Sequence, residues 1–366
     1  MNNHINGNAY LIPVLIDDTI QTLKFFPSRD INYLASAGWD GKLSLFEIKY
    51  EIINQNLDNE NAKINANQIN ICQHSSPILS VSWKGNSGSI ISGCVDGSIN
   101  YIDFQKNILY KIGQHKSGCK EVLYNENCNI LMTGGWDGLL KIWDLREQNP
   151  VSSYQFNNKI YSMSYSNNLL VVGLSEQVMS YFNLQKMQKS IFEPELIFSS
   201  GQNFQTKKIA VFNDASGYVQ ALVQRRISIK YLNLNSNPKV NADTNEIFSD
   251  KDFSFRCHSE LKNGINNFYH INDISLNPVY GSLCTVGGDG FYRIWDIEKR
   301  SMLSEKSCNE NNDIIPLTAC QYNKSGHLLA YAQGYDWSKG ATFASKYPRP
   351  KIFLHYVKKS ERKKIP

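Results

Sequence analysis

One arrangement recurs seven times along the chain: three short runs of β-type residues in a fixed order, separated by turn residues. A first run (TIQTLKFF, ILSVSWK, CKEVLYN, IYSMSYS, KKIAVFN, INDISLN, LTACQYN) is followed by a second (YLASAG, IISGCV, ILMTGG, LLVVGL, YVQALV, SLCTVGG, LLAYAQG). A third completes each set: LSLFEI, INYIDF, LKIWDL, VMSYFNL, ISIKYLNL, YRIWDI and KIFLHYV. The third runs begin at Leu43, Ile99, Leu140, Val178, Ile227, Tyr292 and Lys351, so the steps are 56, 41, 38, 49, 65 and 59 residues. A unit this short cannot bury its own apolar face and must stack on copies of itself, and a period near 40 residues is that of a four-stranded propeller blade. The repeat predicts an all-β chain folded as a seven-bladed β-propeller, with the fourth strands supplied by the linkers between units.

Within four units the register is tighter. Asp40, Asp96, Asp137 and Asp289 are each followed by Gly, the dipeptide that joins twisted antiparallel strands. Four residues before each Asp lies a hydroxyl (Ser36, Ser92, Thr133, Thr285), and six after it comes Phe46, Ile102, Trp143 or Trp295. His74 and His115 each precede their Asp by 22 residues. These spacings resemble the WD-repeat family, whose blades use a His, a Ser or Thr, an Asp and a Trp in a buried hydrogen-bond network. The resemblance implies a structural network of His74, Ser92 and Asp96 in one blade, of His115, Thr133, Asp137 and Trp143 in the next, and of Thr285 and Asp289 in the sixth.

His115, Thr133 and Asp137 also have the residue types of a hydrolase triad. The set recurs with His74, Ser92 and Asp96, and an enzyme needs one activated site whereas a repeated unit needs its strut in every blade. Repetition therefore favours a structural role, and no enzyme activity is expected. Gly287, Gly288 and Gly290 sit in a strand-turn-strand context, without the following helix that a phosphate cradle requires.

Apolar residues at 42% and charged residues at 19% exclude a disordered chain. The net charge is +5, but the last nine residues carry +4 of it through Lys358, Lys359, Arg362, Lys363 and Lys364 against Glu361. A nearly neutral body argues against a uniformly basic nucleic-acid binder, so such contact needs a local patch. The opening MNNHINGNAY has no basic stretch followed by an apolar run, and no segment approaches ~20 consecutive apolar residues, so neither secretion nor direct membrane insertion is expected. The eight cysteines, without a C-x-x-C pair, are expected to be free thiols that hold no metal, and no cofactor is expected.

Residues Ala9 to Val14 precede the first unit and read as a strand that closes the ring as the outer strand of the last blade, removing an exposed edge. A single propeller is expected over residues 1–357, with a basic tail over 358–366. Units four and five carry Ser175-Glu176-Gln177 and Gln224-Arg225-Arg226 where others have Asp-Gly. Of three insertions, the Asn- and Gln-rich 49–70 is expected to be a solvated loop, and 235–270 and 335–350, with aromatics and basic residues, are expected to be contact surfaces.

Finer features narrow the family. YDWSKG (Tyr335 to Gly340), FSFRCH (Phe253 to His258), NDISLNPVYGSLCTVGGDGFYRIWD, and ILMTGGWDG with the following LKIWDLR closely resemble the messenger-RNA export factor of the nuclear pore, over about residues 17–357. The resemblance implies a non-enzymatic adaptor that binds a short acidic hairpin, the GLEBS segment of a Gly-Leu-Phe-Gly nucleoporin, and contacts single-stranded RNA. It implies residence in the nucleus, at the nuclear pore and envelope rim, and also in the cytoplasm, with no small-molecule substrate. Arg226 matches the place of a fifth-blade Arg that meets those acids, although the preceding Glu-Gly of the family is Gln224-Arg225 here. Arg256, His258, Trp337 and Lys339 complete the expected nucleoporin-peptide site. For RNA the expected residues are Phe255, Trp295, Lys299 and Arg300, an aromatic face beside cations that suits an unpaired base and its phosphate. Trp295 is equally the structural Trp of its blade by spacing. Arg349, Lys351 and the terminal KKSERKK add charge that makes RNA binding salt-sensitive and could serve nuclear import. Two other readings stay open: the sister mitotic-checkpoint propeller, which grips GLEBS-like segments of kinases, and a substrate receptor for a cullin-type ubiquitin-ligase adaptor, suggested by Trp143-Asp144-Leu145-Arg146.

Overall fold

A computed structural model of the chain describes residues 4–5, 9–54, 61–106, 108–187, 192–232, 249–262, 264–309 and 313–362. It contains seven antiparallel blades, each a sheet of four strands or, in the seventh, five. The Asp-Gly dipeptides make the turns. In each, the Asp side chain accepts the backbone N–H two residues on, at Lys42, Ser98, Leu139 and Phe291. The glycine between them sits at a φ of 70, 86, 76 or 74°, a region that a Cβ penalises. Where the fourth blade lacks the dipeptide, Glu176 and Gln177 take φ of 57 and 64° themselves. The pairing of first and second strands carries one extra residue near its start in five blades, after Ile20, Cys119, Ile160, Thr206 and Leu317. That recurrent bulge increases the local twist.

The chain forms two compact units. In the unit of residues 89–271, the second blade contributes Ile90–Cys94, Ser98–Asp103 and Ile108–Gln114. The third blade is Cys119–Asn125, Ile130–Gly135, Leu139–Trp143 and Ser152–Gln155, and the fourth is Ile160–Ser166, Leu169–Leu174, Val178–Asn183 and Leu196–Ser199. The fifth is Thr206–Val211, Gly217–Leu222, Arg226–Tyr231 and Phe253–Arg256. Second strands such as Leu169–Leu174 and Gly217–Leu222 are buried at every position, which explains the apolar text of the first; in the second the polar Gln220 donates to Thr206 Oγ1 at 2.7 Å. Met132, Leu140, Phe156, Ile160, Met163, Leu170 and Phe182 interlock across the third and fourth blades. Lys208 on the fifth blade reaches Glu121 on the third at 2.7 Å, a buried carboxylate neutralised in place. Of the 235–270 insertion, the described part supplies the outer strand of the fifth blade and a hairpin, Ser259–Lys262 with Ile265–Phe268.

In the unit of residues 1–88 and 272–366, Ala9–Leu11 pairs antiparallel with Lys351–Tyr356, in register Ala9↔His355, Tyr10↔Leu354 and Leu11↔Phe353. Tyr10, Ile12 and Ile16 join Leu34, Phe46, Leu328 and Leu354 in one core. The Asn- and Gln-rich insertion corrects its sequence expectation. Most of it belongs to two 13-residue strands, Lys42–Asn54 and Asn61–Gln73, while 55–60 lie outside the described residues. Polarity was a poor guide because a strand needs apolar residues on one face only. Ile48, Ile64 and Ala66 are buried, whereas Lys63, Asn65 and Asn67 face solvent.

Candidate functional site

The third blade holds the fullest network. His115 and Thr133 are wholly buried. His115 Nδ1 lies 3.0 and 3.1 Å from the two Asp137 oxygens, and its Nε2 is 2.9 Å from Thr133 Oγ1. A carboxylate only accepts, so Nδ1 carries the proton given to Asp137, and in the neutral tautomer Nε2 accepts from the Thr133 hydroxyl. Trp143 Nε1 donates to that same hydroxyl at 2.9 Å. Burial opposes the Asp137 charge, but the hydrogen bond from His115, with the N–H groups of Lys116 and Leu139, holds its carboxyl below the usual range. Glycine is required at 135, since a Cβ there would stand 2.6 Å from His115 Nδ1. With Thr133 engaged by both Trp143 and His115 and no solvent access, the hydroxyl has no room to attack a substrate.

The other blades vary this theme. In the second, Ser92 is buried and Asp96, exposed, accepts from the Ser98 N–H and hydroxyl at 2.9 and 2.7 Å; His74, just past the first blade's outer strand, is buried and belongs to the other unit. In the sixth, Arg293 takes the cationic place: it donates to Asp289 at 2.7 Å and to Glu305 at 2.6 Å, and Trp295 Nε1 donates to Thr285 at 3.1 Å. Sequence reasoning missed Arg293, whose only signal is its place four residues after the Asp. It also missed a set of glutamines. The Nε2 groups of Gln73, Gln114 and Gln155 each bridge two backbone oxygens, those of Asp40 and His74, Asp96 and His115, and Asp137 and Phe156. Each stands one residue before the strut position, a spacing visible in the text.

The degenerate turn of the fifth blade gathers charge. Arg226 opens the strand Arg226–Tyr231 and faces Arg256 across the register, and its guanidinium donates to Ser254 Oγ at 2.6 Å. Arg225 lies 3.4 Å over the Phe268 ring of the neighbouring hairpin. Burial, then the charges of Arg256 and Arg226, push the Arg225 guanidinium down from its usual value. Among the described residues no carboxylate pairs with any of the three. His258 is buried at a φ of 53°, and its carbonyl accepts the Tyr269 N–H, so it shapes the turn. Phe255, half-buried on the same strand as Arg256, stacks on Phe253 at 6.3 Å. Arg225 and Phe268 are site residues that the sequence reading did not single out.

In the other unit, Trp337 is 44% exposed at a φ of 62°, unusual for a bulky residue. Its Nε1 donates to Thr19, which itself donates to the Tyr335 carbonyl. Lys339 is exposed, with Nζ 3.2 Å from Tyr347 Oη. Trp295 is half-buried in the strand Phe291–Asp296, and Lys299 and Arg300 are exposed in the turn that follows it. Phe255 belongs to the unit of residues 89–271 and these three to the other. Arg146 is bound up in its own turn, with Nε and Nη2 donating to Asp144.

The start of the basic tail is part of the fold. A 3₁₀ turn, Lys359–Glu361, buries Glu361 against His355 at 2.6 Å and Ser304 at 2.9 Å. Arg362 donates to the Val357 carbonyl and lies over the Tyr280 and Tyr356 rings.

The WD domain, G-beta repeat family matches residues 67–103 and 106–144. Each match runs from about the outer strand of one blade to about the third strand of the next, the offset by which His115, at the end of one blade's outer strand, reaches Thr133 and Asp137. The chain is 31% identical over 356 residues to a poly(A)+ RNA export protein of Schizosaccharomyces pombe, covering 96% of this chain and 91% of that one. It is 29% identical to the mRNA export factor rae-1 of Caenorhabditis elegans, covering 96% and 89%. It is also 26% identical to the mitotic checkpoint protein bub3 of Dictyostelium discoideum, covering 98% and 97%. With seven antiparallel blades and an export protein matched along nearly its whole length, the chain belongs to the WD-repeat family of messenger-RNA export factors.

Proposed function

We propose that the chain is a non-enzymatic adaptor in messenger-RNA export, acting in the nucleus and at the nuclear pore, that grips an acidic GLEBS segment of a GLFG nucleoporin and contacts single-stranded RNA. The names of its relatives support the export role. The observation that carries the peptide reading is the trio of Arg225, Arg226 and Arg256, close together and without a carboxylate partner among the described residues. Clustered guanidinium groups repel one another, and the repulsion is relieved by a ligand that brings carboxylates, with charge-assisted and often bidentate bonds. His258 positions this turn, and in the other unit Trp337 and Lys339 offer a second contact, an exposed indole and, two residues on, an exposed cation held at Tyr347. For RNA, Lys299 and Arg300 supply phosphate contacts beside the half-buried Trp295, and Phe255, in the other unit, is a separate aromatic contact.

The test is binding of GLEBS-type peptides to the purified chain with Arg226→Glu as the variant. The native chain is expected to bind, and the variant to lose about tenfold or more, since a like charge replaces a pairing one. A native chain that binds no such peptide, or a variant that binds as well, removes the reading. The checkpoint relative favours a second reading, an adaptor for GLEBS-like segments of mitotic kinases. Recovery of nucleoporin rather than kinase from nuclear extract separates the two. A ubiquitin-ligase receptor role has less support, because Arg146 is already engaged by Asp144.

A further inference from the structure

A cavity of about 700 Å³ lies within the unit of residues 89–271, among turns of the third, fourth and fifth blades. Its volume is that of a ligand site, but its lining is unlike the apolar wall common in such sites. Five asparagines are among its thirteen lining residues. Three are fixed at one end: Asn125 and Asn183 accept the N–H groups of Cys128 and Gln185 within their own turns, and Asn167 donates to the Asn213 carbonyl in the turn of the fifth blade. Each such bond settles the orientation of the amide and leaves its opposite end for a ligand, without the entropy of ordering a free side chain. Asn127 and Asn168 are exposed, and their side chains make no hydrogen bond among the described residues.

The charges are also oriented. Lys186 is spent on Glu195 at 2.8 Å, and one Asp214 oxygen accepts from the Ser216 N–H and hydroxyl. Glu195 Oε1 and Asp214 Oδ2 remain, so the lining is net acidic by one charge and disfavours phosphate. Tyr181 and Phe182 contribute to the wall but are buried, so no ring face is offered for stacking a base or a sugar. A carboxamide presents one donor group and one acceptor, the complement of a peptide bond read without regard to side chain. We propose that this cavity binds an extended peptide bearing a Lys or Arg side chain, its backbone held by the asparagines and its cation by Asp214 and Glu195.

The site is separate from the arginine trio and is tested separately. Fluorescence anisotropy of the full chain is measured with labelled Ala-Lys-Ala-Lys-Ala, the Ala-Glu-Ala-Glu-Ala counterpart, the Lys peptide N-methylated at alternate amides, and maltopentaose as competitor. The Lys peptide is expected to bind. N-methylation, Asn168→Ala and Asp214→Asn are each expected to weaken it about tenfold, the scale of one charge-assisted or buried hydrogen bond. Arg226→Glu is expected to leave it unchanged, which distinguishes failure here from failure of the nucleoporin reading. If Asn168→Ala lowers the melting temperature, Asn127→Ala, on an exposed turn tip, replaces it. Equal or better binding of the Glu or N-methylated peptide, competition by the sugar, no binding up to about 1 mM, or indifference to the cavity variants overturns the proposal.

Discussion

Glu361 stands in the text as one acid among five cations, which reads as a solvated run. Its burial opposes the charged form, but the His355 imidazole, the Lys358 N–H and the Ser304 hydroxyl outweigh this and hold its carboxyl down to about 2. A carboxyl whose folded value lies below its unfolded one contributes stability that is full above the unfolded value and is lost as the pH falls towards the folded one. The contribution is on the order of 3 kcal/mol at neutral pH. Glu361→Gln is therefore expected to lower the melting temperature at pH 7 and to bring the variant and native curves together between about pH 5 and 2. A constant gap across that window means that the pair with His355 is not what the substitution removes. The contrast with His115, Thr133, Asp137 and Trp143 explains what a sequence exposes at this scale. Those four repeat at fixed spacings, so the chain supplies its own comparison, whereas the tail contact occurs once. The arginine trio was partly visible for the same reason: the broken Asp-Gly pattern pointed to Arg226 and the family resemblance to Arg256, whereas the stacking of Arg225 on Phe268 of the neighbouring hairpin has no repeated spacing to reveal it.

Strand periodicity located nearly every element, because each blade repeats three apolar runs between turns. The outer strands were less legible. They face solvent on one side, so Ser152–Gln155 carries little apolar signal and the first blade's outer strand reads as an Asn-rich insertion, whereas the alternating Phe253 and Phe255 do mark Phe253–Arg256. The N-terminal strand, legible in the sequence as Ala9 to Val14, is the most consequential outer strand. Ala9–Leu11 pairs with Lys351–Tyr356, and Tyr10, Ile12 and Ile16 are 5%, 2% and 8% exposed. Burying a large apolar side chain contributes about 1.5–3 kcal/mol, so removing three of them while baring a strand edge withdraws a large part of a typical domain's stability. Deletion of residues 1–16 is expected to lower the melting temperature sharply and to promote association through the exposed edge. Thermal unfolding with light scattering reads both effects, and an unchanged transition would show that the seventh blade does not depend on this strand.

At the scale of the molecule, the charge pattern constrains how RNA contact can arise. The body is nearly neutral, and the excess of cations lies in the last nine residues. Because Glu361 and Arg362 are packed into the fold, truncating the whole tail would confuse lost charge with lost structure. Lys363→Gln with Lys364→Gln removes two charges and keeps Glu361 and Arg362 in place. If the tail meets the RNA backbone, each phosphate neutralised by a single-stranded contact adds about 0.7 to the slope of log affinity against log salt. The double variant should then bind single-stranded RNA more weakly at low salt and show a slope shallower by about 1.4, two such contacts. Lys299→Gln with Arg300→Gln should flatten the slope to a similar degree if the sixth-blade turn also touches phosphate. A flattening by the first pair alone assigns the electrostatics to the tail, by the second pair alone to the blade. A slope that neither pair changes, or affinity independent of salt in the native chain, would remove phosphate contact at both places and with it the RNA half of the proposed function.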